Sequence, residues 1–362
     1  MLRIAVFGDI CLIENKEPLN VVVSDDFVIG NLECALTDQP KPTQKAGPVL
    51  FNPTSFASYL KSKGFFAVSL ANNHIRDCGD QGVFATINAC RQNGIQTFGA
   101  GPTIDDASKP LIIEKDGIRV SVLSFAEKEF NYACEGKAGA TVFDSYESFD
   151  RIKSAKQSAD AVIVLYHGGI EHYIFPSPEL QRKCRKIVAS GADVVLCQHS
   201  HCIGTREKYQ GGEILYGQGN SVFGYRNGND IWNHGLLAHI VVGNYGVKVD
   251  YEVLETDKKG FVSIASNDVS TRVMKDFDAE SKKIQDSAFI KAEWKKFCQK
   301  QKALYLPLLY GLGTNSNRLN RLTHNKLIDL LFSRRQKNIT HNLIRCDAHR
   351  EVVDTILEEY DY

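Results

Sequence analysis

Apolar and polar positions alternate in two different ways along the first two hundred residues. Short unbroken apolar runs are typical of strands buried on both faces, and the segments between them repeat their apolar positions with a helical period. The strand-like runs cover residues 2–7, 27–29, 65–70, 161–165 and 194–197. The helical segments cover residues 53–63, 82–93, 148–158 and 179–190. Because the two kinds alternate, the pattern predicts an α/β fold with a mainly parallel sheet.

The pattern changes twice after about residue 206. Short strands separated by glycine turns follow first, at residues 213–216, 235–242 and 247–253. We expect them to form an antiparallel edge that completes the sheet layer. Helical patterns then return, over residues 282–310 with a break at Pro307, 317–335 and 347–360. The chain therefore divides, by prediction, into a domain over residues 1–260 and a helical extension over residues 261–362.

A short polar segment follows each of the five strand-like runs. In chain order these segments are Phe7-Gly8-Asp9, Gly30-Asn31-Leu32-Glu33, Ala71-Asn72-Asn73-His74, Tyr166-His167-Gly168-Gly169 and Gln198-His199-Ser200-His201. The carboxyl ends of parallel strands are where open α/β sheets hold ligands, so we expect these side chains to converge. Carboxylates, amides and imidazoles together suit Zn²⁺, Mn²⁺ or Fe, and this many donors exceed what one tetrahedral ion uses. The sequence therefore predicts two divalent metal ions that share a bridging carboxylate.

Each segment taken alone also fits a structural role. Asp9 or Glu33 after a strand can equally cap the following helix, and Asn72 can bond to its own backbone in a turn. His199 and His201 are harder to explain in this way, because alternate residues at a strand end point to the same side and bring both imidazoles to one site. The set of five segments, rather than any single one, favours a metal site.

Composition and charge narrow the classes of partner. The 362 residues include 43 basic and 43 acidic side chains, so overall charge gives no reason to expect nucleic acid or a membrane surface. No apolar stretch approaches the roughly 18 residues of a membrane span, and the first six residues show neither a charged leader nor an apolar targeting segment. We therefore expect a soluble protein of the cytoplasm.

Ten cysteines fit the expected cytoplasmic compartment as reduced thiols, and none of them forms a Cys-x-x-Cys pair that would suggest a zinc knuckle or a redox motif. Four flank the candidate site, namely Cys11, Cys78, Cys197 and Cys202. Free cysteines usually pack as small buried hydrophobic residues, and we expect the same here. Cys11 lies two residues from Asp9 and could instead bind metal as a thiolate.

Basic residues concentrate in the helical extension. Residues 281–340 contain thirteen Lys or Arg and three Asp or Glu, a net charge of about +10. Such a segment can form a surface for an anionic polymer, nucleic acid or lipid headgroups. It can also be the solvated face of helices packed on the main domain, and no nucleic-acid motif supports the first interpretation.

The order of these motifs resembles a known family. Gly-Asp, Asn-x-Glu, Ala-Asn-Asn-His followed by Asp77 and Gly79, His-Gly-Gly-x-Glu and x-His-x-His are similar to the motifs of the CapA-type poly-gamma-glutamate capsule-synthesis proteins, as are Gly191-Ala192-Asp193 and the run 215–220. The resemblance covers residues 1 to about 250. It implies a four-layer αββα sandwich like that of the calcineurin-like metallophosphoesterases, with residues 1–260 as the catalytic domain and residues 261–362 as a basic helical carboxyl-terminal extension.

The resemblance also implies roles for individual residues. Asp9 and His201 would bind the first metal, and Glu33 stands where the phosphoesterases have their bridging Asp. The implied ligands of the second metal are Asn73, His167 and His199. His74 follows the Asn as the catalytic His of the phosphoesterases does, so it would protonate a leaving oxygen or hold an oxyanion. Two implied partners, Asp77 and Glu171, would orient the imidazoles, as metal-bound His usually requires.

Several positions depart from the phosphoesterase pattern. Asp9-Ile10-Cys11 replaces Asp-x-His, and Ile75 rather than an acid follows His74, so the first metal site lacks one imidazole. The segment 125–131 replaces a Tyr-Thr-x-Gly-like stretch. We also expect no counterpart of the amino-terminal membrane anchor of capsule-polymer members. The candidate substrate-pocket residues are Asn31, Asn72, Glu127, Asn131 and Asn220.

Two functions are compatible with these features. The first is a two-metal hydrolase that acts on a phosphoester or on an amide in a glutamyl-type polymer or cell-envelope precursor. The second is a metal-bearing assembly factor without turnover, which binds an anionic capsule polymer or a partner envelope-synthesis protein through its basic carboxyl-terminal helices. The sequence does not choose between the possible substrates or between Mn, Zn and Fe.

Overall fold

The computed structural model describes residues 1–13, 17–313 and 316–358. The chain forms two compact units, Met1–Ile290 and Lys291–Tyr362. The first compact unit continues to Ile290, which is beyond the division at residue 260 expected from the sequence. That division into functional domains stays a prediction.

Most strands belong to two large sheets. In chain order the strands are β1 (Leu2–Ile10), β2 (Phe27–Leu32), β3 (Ala35–Leu36), β4 (Phe51–Asn52), β5 (Phe65–Ser69), β6 (Gln96–Phe98), β7 (Ala100–Gly101), β8 (Leu111–Lys115), β9 (Ile118–Ala126), β10 (Gly139–Ala140), β11 (Ala161–His167), β12 (Val194–Gln198), β13 (Arg206–Tyr209), β14 (Gly212–Leu215), β15 (Asn220–Val222), β16 (His234–Gly243), β17 (Gly246–Thr256) and β18 (Val262–Ile264). The helices are α1 (Phe56–Ser62), α2 (Gly79–Gln92), α3 (Ile104–Ala107), α4 (Ser148–Ser158), α5 (Pro178–Ala189), α6 (Asp230–Asn233), α7 (Asn267–Lys283), α8 (Ser287–Leu309), α9 (Ser316–Leu322), α10 (Leu327–Leu331), α11 (Arg334–Arg345) and α12 (Asp347–Glu358).

Both sheets have a run of parallel strands, which the first sheet extends by antiparallel strands on one side and the second sheet on both sides. The first runs β18-β17-β16-β1-β2-β5-β6, with β15 also paired to β1, and the second runs β13-β14-β12-β11-β9-β8. Strands β1, β2, β5 and β6 are parallel, as are β14, β12, β11 and β9. The expected antiparallel edge is correct for β16 and β17. It is only partly correct for β14, which lies in the second sheet and pairs antiparallel with the edge strand β13 but parallel with β12.

The two sheets pack face to face and helices cover their outer sides. One apolar cluster joins Ile4 and Ile29 of the first sheet to Ile163 and Leu196 of the second. A second cluster attaches α1 and α2 to the first sheet, and a third attaches α4 and α5 to the second. The predicted four-layer αββα sandwich is thereby confirmed.

Helix α5 illustrates why these segments are helical. Ser177 caps its amino end by accepting a hydrogen bond from the Leu180 N–H at 3.0 Å, and Pro178 occupies the first turn, where its missing N–H costs nothing. The buried side chains Leu180, Cys184, Ile187 and Val188 recur every three or four residues and face the second sheet.

The sequence pattern did not reveal the hairpin β8–β9. Its turn consists of Asp116 and Gly117, which have φ of 53° and 76°, and Asp-Gly is a favoured pair in two-residue hairpin turns because both positions need positive φ. Strand β9 pairs with β11 inside the second sheet, so the strand that the sequence pattern did not predict belongs to the core.

Strand register brings the polar segments together. In the first sheet Asp9 lies opposite both Asn31 of β2 and Asn220 of β15. In the second sheet His167 lies opposite Gln198, one residue before His199. The donor residues within each sheet therefore lie next to one another at the carboxyl ends of the central strands.

The second unit contains α-helices and confirms the predicted helical extension. The predicted segment 317–335 is divided in the structure among α9, α10 and the start of α11. Ser333 and Gln336 form a reciprocal capping box that starts α11. The last predicted helix is present as α12, and positions 359–360 lie outside the described residues. In the described part of the chain, no helix is both long and apolar enough to cross a membrane.

Candidate metal centre

Carboxylates and imidazoles from both sheets meet in one buried centre. His167 places Nε2 3.5 Å from Glu33 Oε1 and Nδ1 3.8 Å from Asp9 Oδ1. His201 places Nδ1 3.5 Å from Asp9 Oδ2 and Nε2 3.9 Å from Glu33 Oε1. Asp9 and Glu33 are completely buried, so their negative charges require compensation from within the protein.

The potential ligands form two groups that share one residue. Glu33, His167 and His199 form one group, and Asp9, Glu33 and His201 form the other. Within each group the ligand atoms lie within 4.8 Å of one another. A carboxylate that belongs to both groups is the arrangement a bridging ligand requires, and nitrogen and oxygen donors suit first-row transition metals.

Unsatisfied polar atoms show that cations fit this centre. Both carboxylate oxygens of Glu33 and Nδ1 of His199 are buried and have no hydrogen-bond partner among the described residues. A buried polar atom without a partner costs about 1–3 kcal/mol, and more when it is charged. Divalent cations would satisfy these atoms.

Burial controls the protonation of the two carboxyl groups. Desolvation raises the pKa of Asp9 well above its ordinary value, and the nearby Glu33 raises it further. Desolvation likewise raises the pKa of Glu33, with a further contribution from Glu171. Without a cation the pair therefore favours the protonated form, whereas metal binding requires carboxylates.

The three histidines of the two groups are held neutral. Burial lowers the pKa of His167, His199 and His201 well below the ordinary value. Repulsion among neighbouring imidazoles adds to the effect, for example from His74 on His167. Neutral imidazoles are the form that binds metal.

His199 and His201 converge for a reason other than the one predicted. Strand β12 ends at Gln198, so neither histidine belongs to the pleated strand. Both adopt left-handed backbone conformations, with φ of 83° and 51°. Such a conformation costs of order 1–3 kcal/mol for a non-glycine residue and persists only where the surroundings enforce it. The His199 N–H contributes to that enforcement by donating to Asp9 Oδ2 at 3.0 Å.

The two glycines after His167 are required by space and backbone conformation. A Cβ on Gly168 would lie 2.5 Å from Glu127 Cγ, and Gly169 has a φ of +106°. A side chain at Gly168 would collide with Glu127 and Tyr166, and one at Gly169 would be strained by the positive φ. Gly-Gly therefore lets the chain turn closely after the ligand.

His74 lies beside the centre and is held by a neighbouring carboxylate. Its Nδ1 is 2.6 Å from Asp77 Oδ2, and its Nε2 is 4.0 Å from Glu33 Oε1. Lys45 forms a buried ion pair with Asp77 and donates to the Asn73 carbonyl at 3.3 Å. The Asp77 contact favours a proton on Nδ1 and leaves Nε2 directed at the ligands.

Lys45 was not found by sequence reasoning. It lies in a loop between β3 and β4 and belongs to none of the five polar segments. Only the fold brings it to within 3.3 Å of His74 Nδ1. No local signal in the sequence distinguishes it from a surface lysine.

A layer of asparagine side chains supports the ligands. Asn31 donates to Asp9 Oδ1 at 2.8 Å, and its Nδ2 lies 3.1 Å from His167 Nδ1. Asn72 donates to Asn31 Oδ1 at 3.2 Å. Asn73 Oδ1 lies 3.0 Å from His167 Nε2, beside the group formed by Glu33, His167 and His199.

The other residues expected in a substrate pocket lie in different surroundings. Asn131 is fully buried and donates to the carbonyls of Asn72 and Glu127, so it joins two loops. Asn220 Oδ1 lies 2.9 Å from His201 Nδ1 and orients that imidazole. Glu127 is half-buried and accepts a hydrogen bond from the Tyr166 hydroxyl at 3.0 Å.

Glu171 and Cys11 lie outside the buried ligand groups. The Glu171 side chain is 54% exposed, and its carboxylate lies 3.9 Å from His172 Nε2. Its effect on the centre is electrostatic, through the pKa of Glu33. Cys11 packs in the apolar cluster beneath α1 and α2, and neither ligand group found among the described residues includes a cysteine.

An aromatic wall that the sequence reasoning missed closes one side of the centre. The ring centroids of Phe223 and Trp232 lie 4.6 Å and 4.9 Å from that of His201. The Arg226 guanidinium stacks 3.1 Å from the centroid of Trp232. These residues lie between β15 and β16 or near them, where no metal-ligand pattern marked the sequence.

Fold and site together define an α/β sandwich with a buried cluster of carboxylates and imidazoles that can hold metal ions where its strands end. The family described as "Bacterial capsule synthesis protein PGA_cap" matches residues 16–225, more than half of the chain. The chain belongs to this family, which confirms the resemblance inferred from the motifs.

Curated relatives are similar over the same part of the chain. "Capsule biosynthesis protein CapA" of Bacillus anthracis is 31% identical over 209 residues, which are 55% of this chain and 51% of that protein. "PGA biosynthesis protein CapA" of Bacillus subtilis is 31% identical over 206 residues, 55% of this chain and 54% of that protein. A "probable polyglutamine synthesis accessory protein" of Mycobacterium tuberculosis is 27% identical over 172 residues. The chain thus spans about half the length of the curated relatives it matches.

Solved structures show more distant similarity. A hypothetical protein of Thermus thermophilus has a TM-score of 0.47 at 15% identity, covering 70% of this chain and 99% of that one. A 5'-nucleotidase precursor of the same organism has a TM-score of 0.41 at 12% identity, covering 76% and 58%. The family assignment rests on the sequence match.

Proposed function

We propose that this protein is a metal-dependent hydrolase that acts on a phosphoester or on an amide of a glutamyl-type polymer or cell-envelope precursor. The observation that carries this proposal is Glu33, whose two unsatisfied buried oxygens belong to both ligand groups. Beside it stands His74, a histidine held by Asp77 and directed at the same carboxylate. A carboxylate that two metal ions can share, beside a histidine able to donate a proton, is an arrangement that supports metal-assisted hydrolysis.

The residues that would hold the ions follow from the two groups. Glu33 would bridge, Asp9 and His201 would complete the first site, and His167 and His199 the second, with Asn73 beside His167. When bound, two divalent ions polarise a phosphoryl or carbonyl oxygen and lower the pKa of water into the neutral range. Mn²⁺, Zn²⁺ and Fe all accept this donor set.

His74 would act as the acid that assists the leaving group. Asp77 accepts a hydrogen bond from Nδ1, which leaves Nε2 free to carry a second proton toward the substrate. Lys45 would hold Asp77 in position through their buried ion pair. Asn31, Asn72 and Asn220 would keep the ligands in place through their amide groups.

The substrate class rests on the relatives' names and on the chemistry of the centre. Two relatives are named for capsule or PGA biosynthesis, which suggests a γ-linked glutamyl polymer or a precursor of the cell envelope. Both an amide and a phosphoester present an oxygen that two cations can polarise. These two substrate classes are the ones to test first.

Hydrolysis by metal-loaded protein tests the proposal directly. Protein loaded with Mn²⁺ should cleave a bis-aryl phosphodiester, an aryl phosphate or a γ-glutamyl peptide. His74→Ala should lose about 10²–10⁴-fold in rate because a general acid contributes that much, while it should keep its metal. His341→Ala, in the exposed helix α11, is the matched control and should retain the rate. Metal-replete wild-type protein that is inert on all three substrates would contradict the proposal.

A second candidate function is assembly without turnover. The Mycobacterium tuberculosis relative is named an accessory protein, and residues 281–340 carry a net charge of about +10. In this alternative the centre holds metal for structure, and the basic helices bind an anionic polymer or a partner envelope-synthesis protein. An inert protein that retains metal and binds poly-γ-glutamate in a salt-dependent manner would support it.

A further inference from the structure

A cavity of about 400 Å³ lies in the first unit between α6 and α7. Its volume is in the range of small-molecule sites. None of the described residues that line it belongs to either ligand group of the metal centre. The indole of Trp232 in α6 packs on His201 of that centre, and its neighbour Ile231 lines the cavity. The cavity is therefore adjacent to the metal centre but separate from it.

Two buried polar atoms belong to residues that line this cavity. Thr205 and His234 are only 1% and 8% exposed, and Thr205 Oγ1 and His234 Nε2 have no hydrogen-bond partner among the described residues. Nearly all buried polar atoms in native proteins are paired with protein, water or a ligand. A Cβ on Gly219 would lie 2.8 Å from the His234 carbonyl oxygen and 3.2 Å from the Ile203 backbone nitrogen, so the segments that carry the two atoms are neighbours. One small molecule can therefore reach both.

The contacts of the His234 ring determine which kind of group it can bind. Its Nδ1 lies 2.7 Å from the Asp230 carbonyl oxygen, and a carbonyl oxygen can only accept a hydrogen bond. Nδ1 therefore carries the proton of the neutral imidazole, and Nε2 presents a lone pair. The Thr205 hydroxyl can also accept a hydrogen bond. A ligand that satisfies both atoms must supply hydrogen-bond donors.

Apolar side chains from four segments surround these two polar groups. They are Ile174, Ile203, Ile231, Val273 and Phe277. Val273 and Phe277 lie four residues apart on one face of α7. Sites lined mainly by apolar side chains with a few polar groups bind ligands that have an apolar body. The donors of the ligand must therefore be attached to a hydrocarbon or aromatic group.

The charged residues of the cavity favour a cation. Three acidic side chains and one basic side chain line it, namely Asp230, Asp276, Glu280 and Arg272. Glu280 is already paired with Lys283 at 2.6 Å. Arg206 lies over the Phe277 ring and is paired with Asp278 at 2.8 Å. The two remaining carboxylates outnumber the one remaining guanidinium, so the local field attracts positive charge.

An alkylammonium group combines positive charge with up to three hydrogen-bond donors. We propose that the cavity between α6 and α7 binds a small organic amine. Its N–H groups donate to His234 Nε2 and Thr205 Oγ1, and its apolar body lies against the isoleucines and Phe277. This site is additional to the proposed hydrolytic centre and does not depend on bound metal.

Three probes that share one aromatic body test the chemical class of the ligand. Isothermal titration calorimetry of the full-length chain should show one phenethylamine bound per chain. Phenethyl alcohol lacks the charge and should bind about tenfold more weakly, because hydrogen bonds to charged groups are stronger than neutral ones. Phenylpropionate carries the opposite charge and no donor, so it should not bind.

Substitutions in the cavity locate the binding site. Thr205→Val removes the hydroxyl with little change in shape, and His234→Asn removes Nε2 while keeping an N–H for the Asp230 carbonyl. Each should weaken phenethylamine binding about tenfold. Ile231 is 53% exposed, so Ile231→Trp should fold normally and block the cavity. The matched control is Ile104→Trp in α3, which is 38% exposed, lies outside the cavity and should bind phenethylamine like the wild type.

Thermal unfolding and elemental analysis accompany each titration. The metal content of every variant should equal that of the wild type, because the ligand groups are untouched. If His234→Asn unfolds, the comparison of Ile231→Trp with Ile104→Trp still decides the location of the site. The proposal is overturned if phenethylamine does not bind the wild type at millimolar concentration. Unchanged binding by Ile231→Trp, or phenylpropionate binding as tightly as the amine, would overturn it as well.

Discussion

At the scale of single residues, Glu33 is the potential ligand that both groups of the candidate centre share. It is buried, its oxygens lack partners among the described residues, and it belongs to both ligand groups. His167, His199 and His201 each belong to one group only. Substitutions at these positions should therefore differ in how many ions they release.

We predict that Glu33→Ala removes both ions and His199→Ala removes only the second. Loss of a shared carboxylate deprives each site of a ligand, whereas His199 serves one site. Each affected site should lose at least about 10–100-fold in affinity, the cost seen even for groups that only support a ligand. Elemental analysis after dialysis measures the stoichiometry, with Glu171→Ala as the control. Equal metal content in wild type and Glu33→Ala would refute the bridging role.

Cys11 should be dispensable for metal binding. It packs in an apolar cluster and belongs to neither ligand group, so Cys11→Ser should leave the metal content unchanged. X-ray absorption at the metal edge provides the check, because a thiolate ligand gives a scattering path near about 2.3 Å. A sulfur path in wild type that disappears in Cys11→Ser would show that Cys11 is a ligand.

The protonation of the centre predicts a pH optimum for the stability of metal-free protein. The lowered pKa values of His167, His199 and His201 contribute stability that is present above the ordinary His pKa of about 6.5 and lost as the pH falls. The raised pKa values of Asp9 and Glu33 contribute stability that is present at low pH and lost as the pH rises above about 4. Between these values three imidazoles outweigh two carboxyls, and above about 6.5 only the carboxyl effect remains.

The free energy of unfolding should therefore peak near about pH 6.5 when metal is removed with a chelator. Urea unfolding on both sides of that pH measures it. Glu33→Gln removes one of the two carboxyls, so it should decline less on the alkaline side. A chelated wild-type protein that gains stability steadily up to pH 8 would contradict the prediction.

At the scale of elements, strand ends and the turns after them position the ligands. Strand β11 delivers His167 directly, and Gly168 then allows close approach to Glu127. Beyond β12 the left-handed conformations of His199 and His201 complete the centre. The strands thus bring the ligand residues to the centre, and the backbone conformation of the turns after them directs the imidazoles towards it.

Gly168→Ala should disturb the centre without touching a ligand. The new methyl group would lie 2.5 Å from Glu127 Cγ, so the chain after β11 must shift. We expect a loss of about 1–3 kcal/mol in stability, as for overpacked sites, together with lower metal content. Gly243→Ala is the control, because its Cβ would lie 3.9 Å from the nearest atom. Thermal unfolding and elemental analysis that do not distinguish the two variants would argue against this role.

At the scale of the whole molecule, the position of a truncation decides whether the first unit folds. Residues 261–290 include Val262, Phe277, Ile284 and Ile290, which are buried in the first unit. Each fully buried side chain of this kind contributes about 1.5–3 kcal/mol. Their combined loss is comparable to the whole stability of a domain, about 5–15 kcal/mol.

Truncation after residue 290 should therefore preserve a folded, metal-binding protein, whereas truncation after residue 259 should not. Every proposed ligand precedes residue 202, so the shorter folded chain should keep its turnover of a small chromogenic phosphoester. Circular dichroism and metal content compare the two truncations. If the chain ending at 290 were folded and metal-replete but inactive while the full chain was active, the second unit would have to contribute to the reaction.

The sequence by itself determined the family and the alternation of strands and helices in much of the first unit, and it predicted the donor residues of the candidate centre. These features depend on local periodicity and on short motifs, which survive without knowledge of distant contacts. It missed β9 because the Asp116-Gly117 turn was not used, and it did not reveal that β14 pairs in parallel with β12, because strand pairing is not encoded locally.

Tertiary structure alone decided what surrounds the donor residues. No motif marks Lys45, which contacts Asp77, or Trp232 of α6, which packs on His201 and carries Arg226 on its ring. Asn131 and Asn220 were expected to line a pocket, yet the fold uses their amides to hold a loop and an imidazole. These roles depend on distances between segments far apart in the chain, and such distances are fixed only when two sheets and their connecting loops pack together.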